Sequence, residues 1–288
     1  MIDGLVVVDK PTGCTSHDVV AQCRRIFGQR RVGHSGTLDP DATGVLLVGL
    51  GQATRLLRFL SDLPKSYRGE VVLGEETSTL DAAGVVTATH DMGAVTLEDA
   101  RRAAADFVGA IEQVPPMVSA LKVGGRRLHE LAREGKEVDR APRPVTVYRF
   151  DVVSSDDSIL AIEVDCSTGT YVRSLAADLG HALGGGAHLR KLRRTAIGPF
   201  SHDSAVPLSD VGPDSVVAPL AAVGHLEAVS LSGDEVASAR QGVLWESMGS
   251  GPGPWAVVGP EGDLVAVYER HHDGRRAKPA VVLNVRNQ

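Results

Sequence analysis

Apolar residues recur along the chain in runs that predict buried strands. A short run rich in Val, Leu and Ile, bounded by turn residues, is typical of a strand that is covered on both faces. Such runs lie at residues 4–8, 45–50, 67–73, 145–153 and 159–166. The last two flank a polar Ser-Ser-Asp-Asp turn and therefore predict an antiparallel pair.

Between these runs, apolar residues at helical spacing predict helices. One begins at Ser16, a good N-cap residue, and continues to Gly28 with apolar positions three and four apart. A second begins at Thr96, where Thr-Leu-Glu-Asp is a capping-box pattern, and ends near Phe107. A third is predicted over residues 174–183. Strands and helices thus share the chain without the regular βα alternation of a parallel sheet, which favours an α+β fold.

The chain also divides by composition. Residues 113–146 begin and end with prolines and are rich in charge, which predicts an insertion that leaves the body of the protein. Prolines and an acidic shift near residues 205–228 predict a domain boundary. We expect a large domain at residues 1–225, with a mixed, mainly antiparallel sheet flanked by helices. A small β-rich domain is expected at residues 226–288.

Composition limits the class of protein. The chain has 288 residues, of which 43% are hydrophobic, as in an ordinary globular protein. Its three cysteines form no CxxC pair, which favours a reducing cytoplasm over a disulfide framework. Neither a secretory signal nor a membrane span is visible in the sequence. We therefore expect a cytoplasmic protein that does not enter a membrane.

Charge is distributed unevenly. The net charge is −6, which by itself argues against a nucleic-acid partner. Residues 201–263, however, contain nine acidic side chains and one basic one, Arg240, so the rest of the chain is slightly positive. Its basic residues cluster, notably at residues 190–194 and 270–278. Local basic patches decide affinity for a phosphate backbone, so an RNA partner stays open.

Candidate chemistry centres on the loop GHSGTLDPDATG at residues 33–44. Its glycines, proline and small polar residues predict an irregular loop. As a calcium loop starting at Asp39 it fails, because the twelfth position should be a glutamate and is Leu50. As the nucleophile loop of a phosphohydrolase it is disfavoured, because residues 30–36 are too polar and glycine-rich for the preceding buried parallel strand.

The same loop resembles the catalytic signature of the pseudouridine synthases of the TruB family, which modify tRNA at uridine 55. Further blocks resemble that family and occur in its order over most of residues 1–200. They are DKP at 9–11, KSY at 65–67, VPPMVSALK at 114–122, GTYVRSL at 169–175 and GAHLRKLRR at 186–194. The resemblance implies the pseudouridine synthase fold, with the charged insertion at 113–146 as the family's thumb. The acidic tail resembles, in position, a PUA-like RNA-binding domain.

The resemblance also implies roles for individual residues. Asp39 matches the essential catalytic aspartate, Arg173 the arginine that pairs with it, and Tyr67 the tyrosine that stacks on the target base. His34 resembles the histidine that fills the gap left by the flipped uridine. Tyr171 and Leu192 are expected to line the uracil pocket, and Lys10 to support Tyr67 from behind.

Pseudouridine has the same atomic composition as uridine, so the reaction consumes no other reagent. The resemblance therefore implies an enzyme without cofactor or metal. It implies the T arm of tRNA as the partner, and we expect a monomer without a protein partner. The alternative from another class is a non-catalytic RNA-binding or tRNA-chaperone module. The presence of Asp39, Tyr67 and Arg173 argues against it.

Overall fold

The computed structural model describes residues 1–119, 121–136 and 138–284. The chain forms two compact units, each built from separate stretches of sequence. The first contains Met1–Pro40, Leu46–Ser61 and the residues from Asp203 onward. The second contains Asp41–Val45 and Asp62–His202.

Strands and helices follow one another through both units. The strands are β1 Gly4–Lys10, β2 Val32–Ser35, β3 Thr43–Leu50, β4 Lys65–Leu73, β5 Glu75–Thr77, β6 Val86–Thr89, β7 Gly109–Gln113, β8 Lys122–Val123, β9 Arg126–Arg127, β10 Arg143–Asp156, β11 Ile159–Cys166, β12 Ala187–Ile197, β13 Phe200–Ser201, β14 Val206–Pro207, β15 Val216–Val217, β16 Glu227–Ser230, β17 Trp255–Val258, β18 Leu264–Arg270 and β19 Ala277–Val282. The helices are α1 Ser16–Ile26, α2 Leu57–Ser61, α3 Leu97–Ala105, α4 Leu128–Arg133, α5 Val172–Ala182, α6 Pro219–Ala222 and α7 Gly233–Arg240. Among the helices in the described part of the chain, none has the length and apolarity needed to cross a membrane.

In the first unit, α1 packs on strands β1 and β3. Strand β1 lies between β14 and β3 in the strand order, and β2 pairs antiparallel with β3. Thr15 caps α1 in a complete capping box with Asp18. The buried side chains of Val19 and Cys23 then pack against β1 and β3, including Val48. This packing holds the segment between β1 and α1 next to Leu38 and Pro40 of the loop at residues 33–44.

A separate four-stranded sheet, in the order β16-β17-β18-β19, lies in the same unit. Its residues Leu264 and Val267 pack with Ala53 and Leu56 in one buried cluster. Gln52 adds hydrogen bonds to the backbone of Asn284. The tail therefore forms the predicted β-rich structure, while the domain boundary at residue 225 stays a prediction.

The second unit is built on a sheet in the order β3-β12-β4-β11-β10-β7, with the Thr43–Val45 end of β3 at its edge. The pairing of β12 with β3 is parallel, and the pairings among β12, β4, β11, β10 and β7 are antiparallel. Helix α5 packs on this sheet through its buried first two turns. The sheet is mixed and mainly antiparallel, which confirms the predicted α+β fold.

The expectation that residues 33–44 are irregular throughout is wrong at both ends, because Thr43 and Gly44 already belong to β3. Val32–Ser35 form β2, in which Gly33 lies opposite Gly49 and His34 opposite Val48. Hydrogen bonds to the apolar strand β3 compensate for the low strand propensity of glycine and histidine, so tertiary pairing overrides composition. The strand before the loop is antiparallel, so the structure still differs from the parallel strand of a phosphohydrolase.

Gly44 allows two backbones to approach closely where β3 meets β12. It has φ +103°, and a Cβ placed there would lie 2.1 Å from the carbonyl oxygen of Arg194. The opposite partner of Gly44 in the ladder is Arg194, whose Nε donates to the carbonyl of Val45 at 2.8 Å. A residue with a side chain would push these strands apart.

A buried lysine begins strand β4. Lys65 is 7% exposed, and its Nζ donates to the carbonyl of Leu63 at 2.8 Å. Burial, aided by repulsion from Arg194, lowers the pKa of Lys65 to about 8. Below pH 8 both folded and unfolded chains carry this proton, and the folded state bears the cost of the buried charge. As pH rises from 8 towards 10.5, the folded state releases the proton first, so stability increases with pH.

Gly44→Ala is expected to lower the free energy of unfolding by about 3 kcal/mol, because it adds both backbone strain and a clash. Gly13→Ala is the control, since Gly13 also has a positive φ but a Cβ placed there would have no heavy atom within 4 Å. That variant should lose only about 1 kcal/mol from strain. Urea denaturation measures both, and equal losses would show that the close approach at Arg194 costs nothing.

The free energy of unfolding of the wild type, minus that of Lys65→Met, should increase by about 1–2 kcal/mol between about pH 7 and about pH 9.5. Only the wild type loses a costly buried charge over this range. Lys278→Met is the control for the loss of a lysine that is not buried. Urea denaturation at several pH values tests this, and a constant or decreasing difference for Lys65→Met would contradict the account.

Candidate active site

The backbone on both sides of Asp39 is fixed by hydrogen bonds from the segment between β1 and α1. Ser16 Oγ accepts from the N–H of Leu38 at 2.9 Å and donates to its carbonyl at 3.2 Å. The N–H of Gly13 donates to the carbonyl of Pro40 at 3.0 Å. Leu38 is buried, whereas Asp39 is half-buried. A partly accessible carboxylate is thus carried on a backbone that is held at the preceding and following residues.

Lys10 completes this arrangement. Its side chain is fully buried, and its Nζ donates to the carbonyls of Pro11 at 2.9 Å, Cys14 at 2.7 Å and Pro40 at 3.0 Å. Carbonyl oxygens replace the water that a buried ammonium group loses. These contacts tie Lys10 to the backbone next to Asp39. The structure therefore places it at the loop that carries the acid, and its role towards substrate stays a prediction.

His34 lies on β2, in the part of residues 33–44 that forms a strand. It is half-buried, and its ring meets that of His17 edge to face with centroids 5.3 Å apart. His17 belongs to α1, so the same helix that supplies Ser16 also contacts His34. The structure thus groups Lys10, His34 and Asp39 around the segment from β1 to α1 in the first unit.

Tyr67 and Leu192 share one face of the sheet in the second unit. Tyr67 on β4 lies opposite Val164 of β11 and opposite Arg194 of β12. Leu192 lies opposite Gly69, which is two residues after Tyr67 on β4, and it precedes Arg194 by two residues on β12. It is therefore a diagonal neighbour of Tyr67 on the same face. Tyr67 is 8% exposed. Because Gly69 has no side chain, nothing from β4 stands directly opposite Leu192 on this face.

Arg173 is fixed from three directions in the first turn of α5. Its Nη1 donates to the carbonyl of Thr79 at 3.1 Å and lies 3.3 Å from Asp81 Oδ2. Its Nη2 donates to the carbonyl of Val118 at 2.8 Å. The residue is 5% exposed. A guanidinium stays charged even when buried, so these acceptors orient a permanent positive charge.

Asp81 is a site residue that the sequence analysis missed. Its Oδ1 accepts from Thr79 Oγ1 at 2.5 Å and from the N–H of Ala83 at 3.1 Å, which leaves Oδ2 for Arg173. The neighbouring Ala82 N–H donates to the carbonyl of Leu189 on β12. The available signal was an acid followed by small residues and a glycine, which is typical of a tight turn.

Tyr171 is held through its backbone by Gln113. The N–H of Tyr171 donates to Gln113 Oε1 at 2.7 Å, and Gln113 Nε2 donates to the carbonyl of Tyr171 at 3.1 Å. Gln113 is 2% exposed and was also missed from the sequence. The structure thus groups Tyr67, Tyr171, Arg173 and Leu192 in the second unit, together with Asp81 and Gln113.

The two buried thiols are poorly suited to catalysis. Burial raises the pKa of Cys23 and of Cys166 to about 11, so both thiols are protonated near neutral pH and are weak nucleophiles. Burial also raises the pKa of Asp178 above its usual value. Within residues 1–119, 121–136 and 138–284, no group of three or more His, Cys, Asp or Glu side chains is arranged to hold a metal ion.

Solved structures support the fold. The match to a chain described as "Crystal Structure of a Cbf5-Nop10-Gar1 Complex" has a TM-score of 0.75 at 27% identity, covering 99% of this chain and 84% of that one. A second, described as "Crystal structure of the archaeal box H/ACA sRNP Nop10-Cbf5 complex", has a TM-score of 0.71 at 26% identity, covering 98% and 85%.

Sequence comparisons identify the family. Residues 24–172 match the model described as "TruB family pseudouridylate synthase (N terminal domain)", and residues 173–218 match "tRNA pseudouridylate synthase B C-terminal domain". A protein of Arthrobacter sp. (strain FB24) called "tRNA pseudouridine synthase B" is 42% identical, covering 100% of this chain and 99% of the relative. One of the same name from Rhodococcus jostii (strain RHA1) is 44% identical, covering 97% and 93%. The resemblance stated from the motifs is confirmed, and the chain belongs to the TruB family of pseudouridylate synthases.

Proposed function

We propose that this pseudouridylate synthase acts on tRNA, and that its target is uridine 55 in the TΨC loop. The observation that carries the proposal is the similarity over the full chain to relatives called tRNA pseudouridine synthase B, at 42–45% identity. The loop at residues 33–44 supports it, because its carboxylate is carried on a fixed backbone. A module that only binds RNA has no need for a reactive group held in this way.

Asp39 is the proposed reacting carboxylate. The reaction detaches uracil from its ribose, turns the ring and joins it again through C5. A carboxylate suits this as a nucleophile towards C6 of the base or C1′ of the ribose, or as a base that removes a ribose proton. The three routes stay open, and all of them need an ionised Asp39 whose position does not drift during the reaction.

Arg173 is the proposed partner that keeps the reacting acid ionised. A guanidinium favours a neighbouring carboxylate in its charged form. Support comes from its fixed orientation, because carbonyls of Thr79 and Val118 and the carboxylate of Asp81 hold it before substrate arrives. Such a preset charge costs no reorganisation at the moment of reaction.

The remaining site residues are proposed to hold the flipped nucleotide. Tyr67 stacks on the target uracil, and Leu192, its diagonal neighbour on the same sheet face, lines the same pocket with Tyr171. His34 fills the gap that the uridine leaves in the RNA. Lys10 is proposed to serve substrate binding by supporting Tyr67 from behind, and it also bonds the carbonyl of Pro40 in the catalytic loop.

Basic surfaces are proposed to bind the T arm. The thumb insertion at residues 113–146 contacts phosphates without reading sequence. The tail, as a PUA-like domain, contributes through its basic cluster at residues 270–278. We propose that the enzyme works as a cytoplasmic monomer without a cofactor. Its free cysteines Cys14, Cys23 and Cys166 suit a reducing compartment.

Asp39→Asn is expected to lower the single-turnover rate of pseudouridine formation in unmodified tRNA by about 10³-fold or more, because the amide is neither a nucleophile nor a base. Its affinity for tRNA should stay near that of the wild type. Asp41→Asn is the matched control, since Asp41 is an exposed carboxylate in the same loop. Mass spectrometry of digested tRNA gives the rates. Full activity of Asp39→Asn, or an equal loss in Asp41→Asn, would contradict the assignment.

The double variant Arg275→Ala/Lys278→Ala is expected to weaken tRNA binding and to reduce the slope of log K against log salt by about 2, because two phosphate contacts are lost. It spares Arg276, which holds Asp273, and Arg270, which lies over Trp255. Arg240→Ala, a tail cation that pairs with Asp263, is the control. Filter binding at several salt concentrations measures both, and an unchanged slope in the double variant would remove the tail cluster from the RNA interface.

A further inference from the structure

We propose that Gln113, the last residue of β7, is a positioning residue that sets the start of α5 and thereby the orientation of Tyr171 and Arg173. The proposal rests on the proposed function, because it assigns those two residues to the uracil pocket and to the reacting acid. Gln113 itself is 2% exposed and acts through Tyr171, not on substrate.

The first argument is that α5 begins without a cap of its own. Tyr171 occupies the N-cap position with extended backbone, φ −101° and ψ 107°, and its side chain makes no capping hydrogen bond. Its carbonyl accepts the first helical hydrogen bond from the N–H of Leu175 at 3.1 Å. That same carbonyl and the N–H of Tyr171 are both bonded by the Gln113 amide. A side chain from outside the helix thus fixes the backbone of the N-cap residue, and its bond to the N-cap N–H is the one that an N3 Glu or Gln makes in a capping box.

The second argument is that Gln113 is itself anchored. Its backbone pairs with Arg143 at the end of the β7–β10 ladder, so the amide projects from a fixed point of the sheet. From this point the carboxamide of Gln113 reaches Tyr171, where its oxygen accepts from the backbone N–H and its nitrogen donates to the carbonyl of the same residue. Asparagine is shorter by one methylene group, and an ionised glutamate cannot donate.

The third argument is that the following residues continue the contact. The carbonyl of Val114 accepts from Ser174 Oγ at 3.3 Å, and the carbonyl of Val118 accepts from Arg173 Nη2 at 2.8 Å. Residues 113–118 therefore form the root of the thumb insertion and also bond residues 171–174. A thumb root that moves on binding RNA would move the same acceptors, and Gln113 is the contact nearest to the sheet.

A second buried glutamine offers a matched control. Gln29 is 7% exposed and makes the same reciprocal pair with Ile2, whose N–H donates to Gln29 Oε1 at 2.9 Å and whose carbonyl accepts from Nε2 at 3.0 Å. Ile2 has no assigned role in the reaction. Gln29→Ala therefore measures what the loss of such a pair does to the protein in general.

The test compares Gln113→Ala, Gln113→Glu, Gln29→Ala and wild type as full-length proteins with unmodified tRNA. We expect both alanine variants to be destabilised similarly to urea. Only Gln113→Ala should lose single-turnover rate, by about 10- to 100-fold, with tRNA affinity changed less than about 3-fold, because orientation and not binding is lost. Relative to wild type, Gln113→Glu should recover as pH falls from about 8 to about 6, since burial at this position favours the protonated carboxyl, which can both accept and donate.

Hydrogen exchange gives a readout that does not depend on activity. The amides of Tyr171 and Leu175 should exchange faster in Gln113→Ala than in wild type and should be unchanged in Gln29→Ala. Unchanged exchange in Gln113→Ala, or equal rate losses in Gln113→Ala and Gln29→Ala, would overturn the positioning role. A wild type that forms no pseudouridine in tRNA would instead overturn the proposed function, and the exchange result would still decide the role of Gln113.

Discussion

The candidate site depends on the hydrogen bonds that hold the loop around Asp39. Leu38 is bonded by Ser16, and Pro40 by Gly13 and Lys10, so the acid lies between two anchored residues. Those anchors are reliable because α1 is capped and buries its apolar face on β1 and β3. Under the proposed function, a carboxylate that must react at one atom of a flipped nucleotide benefits from a support that does not move. The apolar core of the first unit thus provides the precision that the chemistry needs.

Both units contain buried cations that are, or adjoin, candidate site residues. Lys10 and Arg173 are bonded by backbone carbonyls, and so are Arg194, through Val45, and Lys65, through Leu63. Removing a cation from water is costly, so each of these side chains persists only where the backbone offers oxygen atoms at the correct distance. The loops depend on the cations as well, because a cation with several carbonyl partners fixes the loops that supply those carbonyls.

The sequence predicted most of the fold because local patterns determine strands and helix starts. The buried runs became β1, β3, β4, β10 and β11, and the family resemblance from six ordered blocks is confirmed. Asp81 and Gln113 could not be predicted, because their partners Arg173 and Tyr171 lie far along the chain and no local spacing joins them. Strand β2 was missed for a similar reason, since only its pairing with β3 makes residues 33 and 34 extended.

The central claim is that the anchored acid and its partners convert one defined uridine of tRNA. Mapping pseudouridine by mass spectrometry in unmodified tRNA, after incubation with the wild-type protein and chelator, tests this most directly. The account predicts conversion at position 55 alone, at a rate that chelator does not change. Conversion at another position, or no conversion at all, would contradict it.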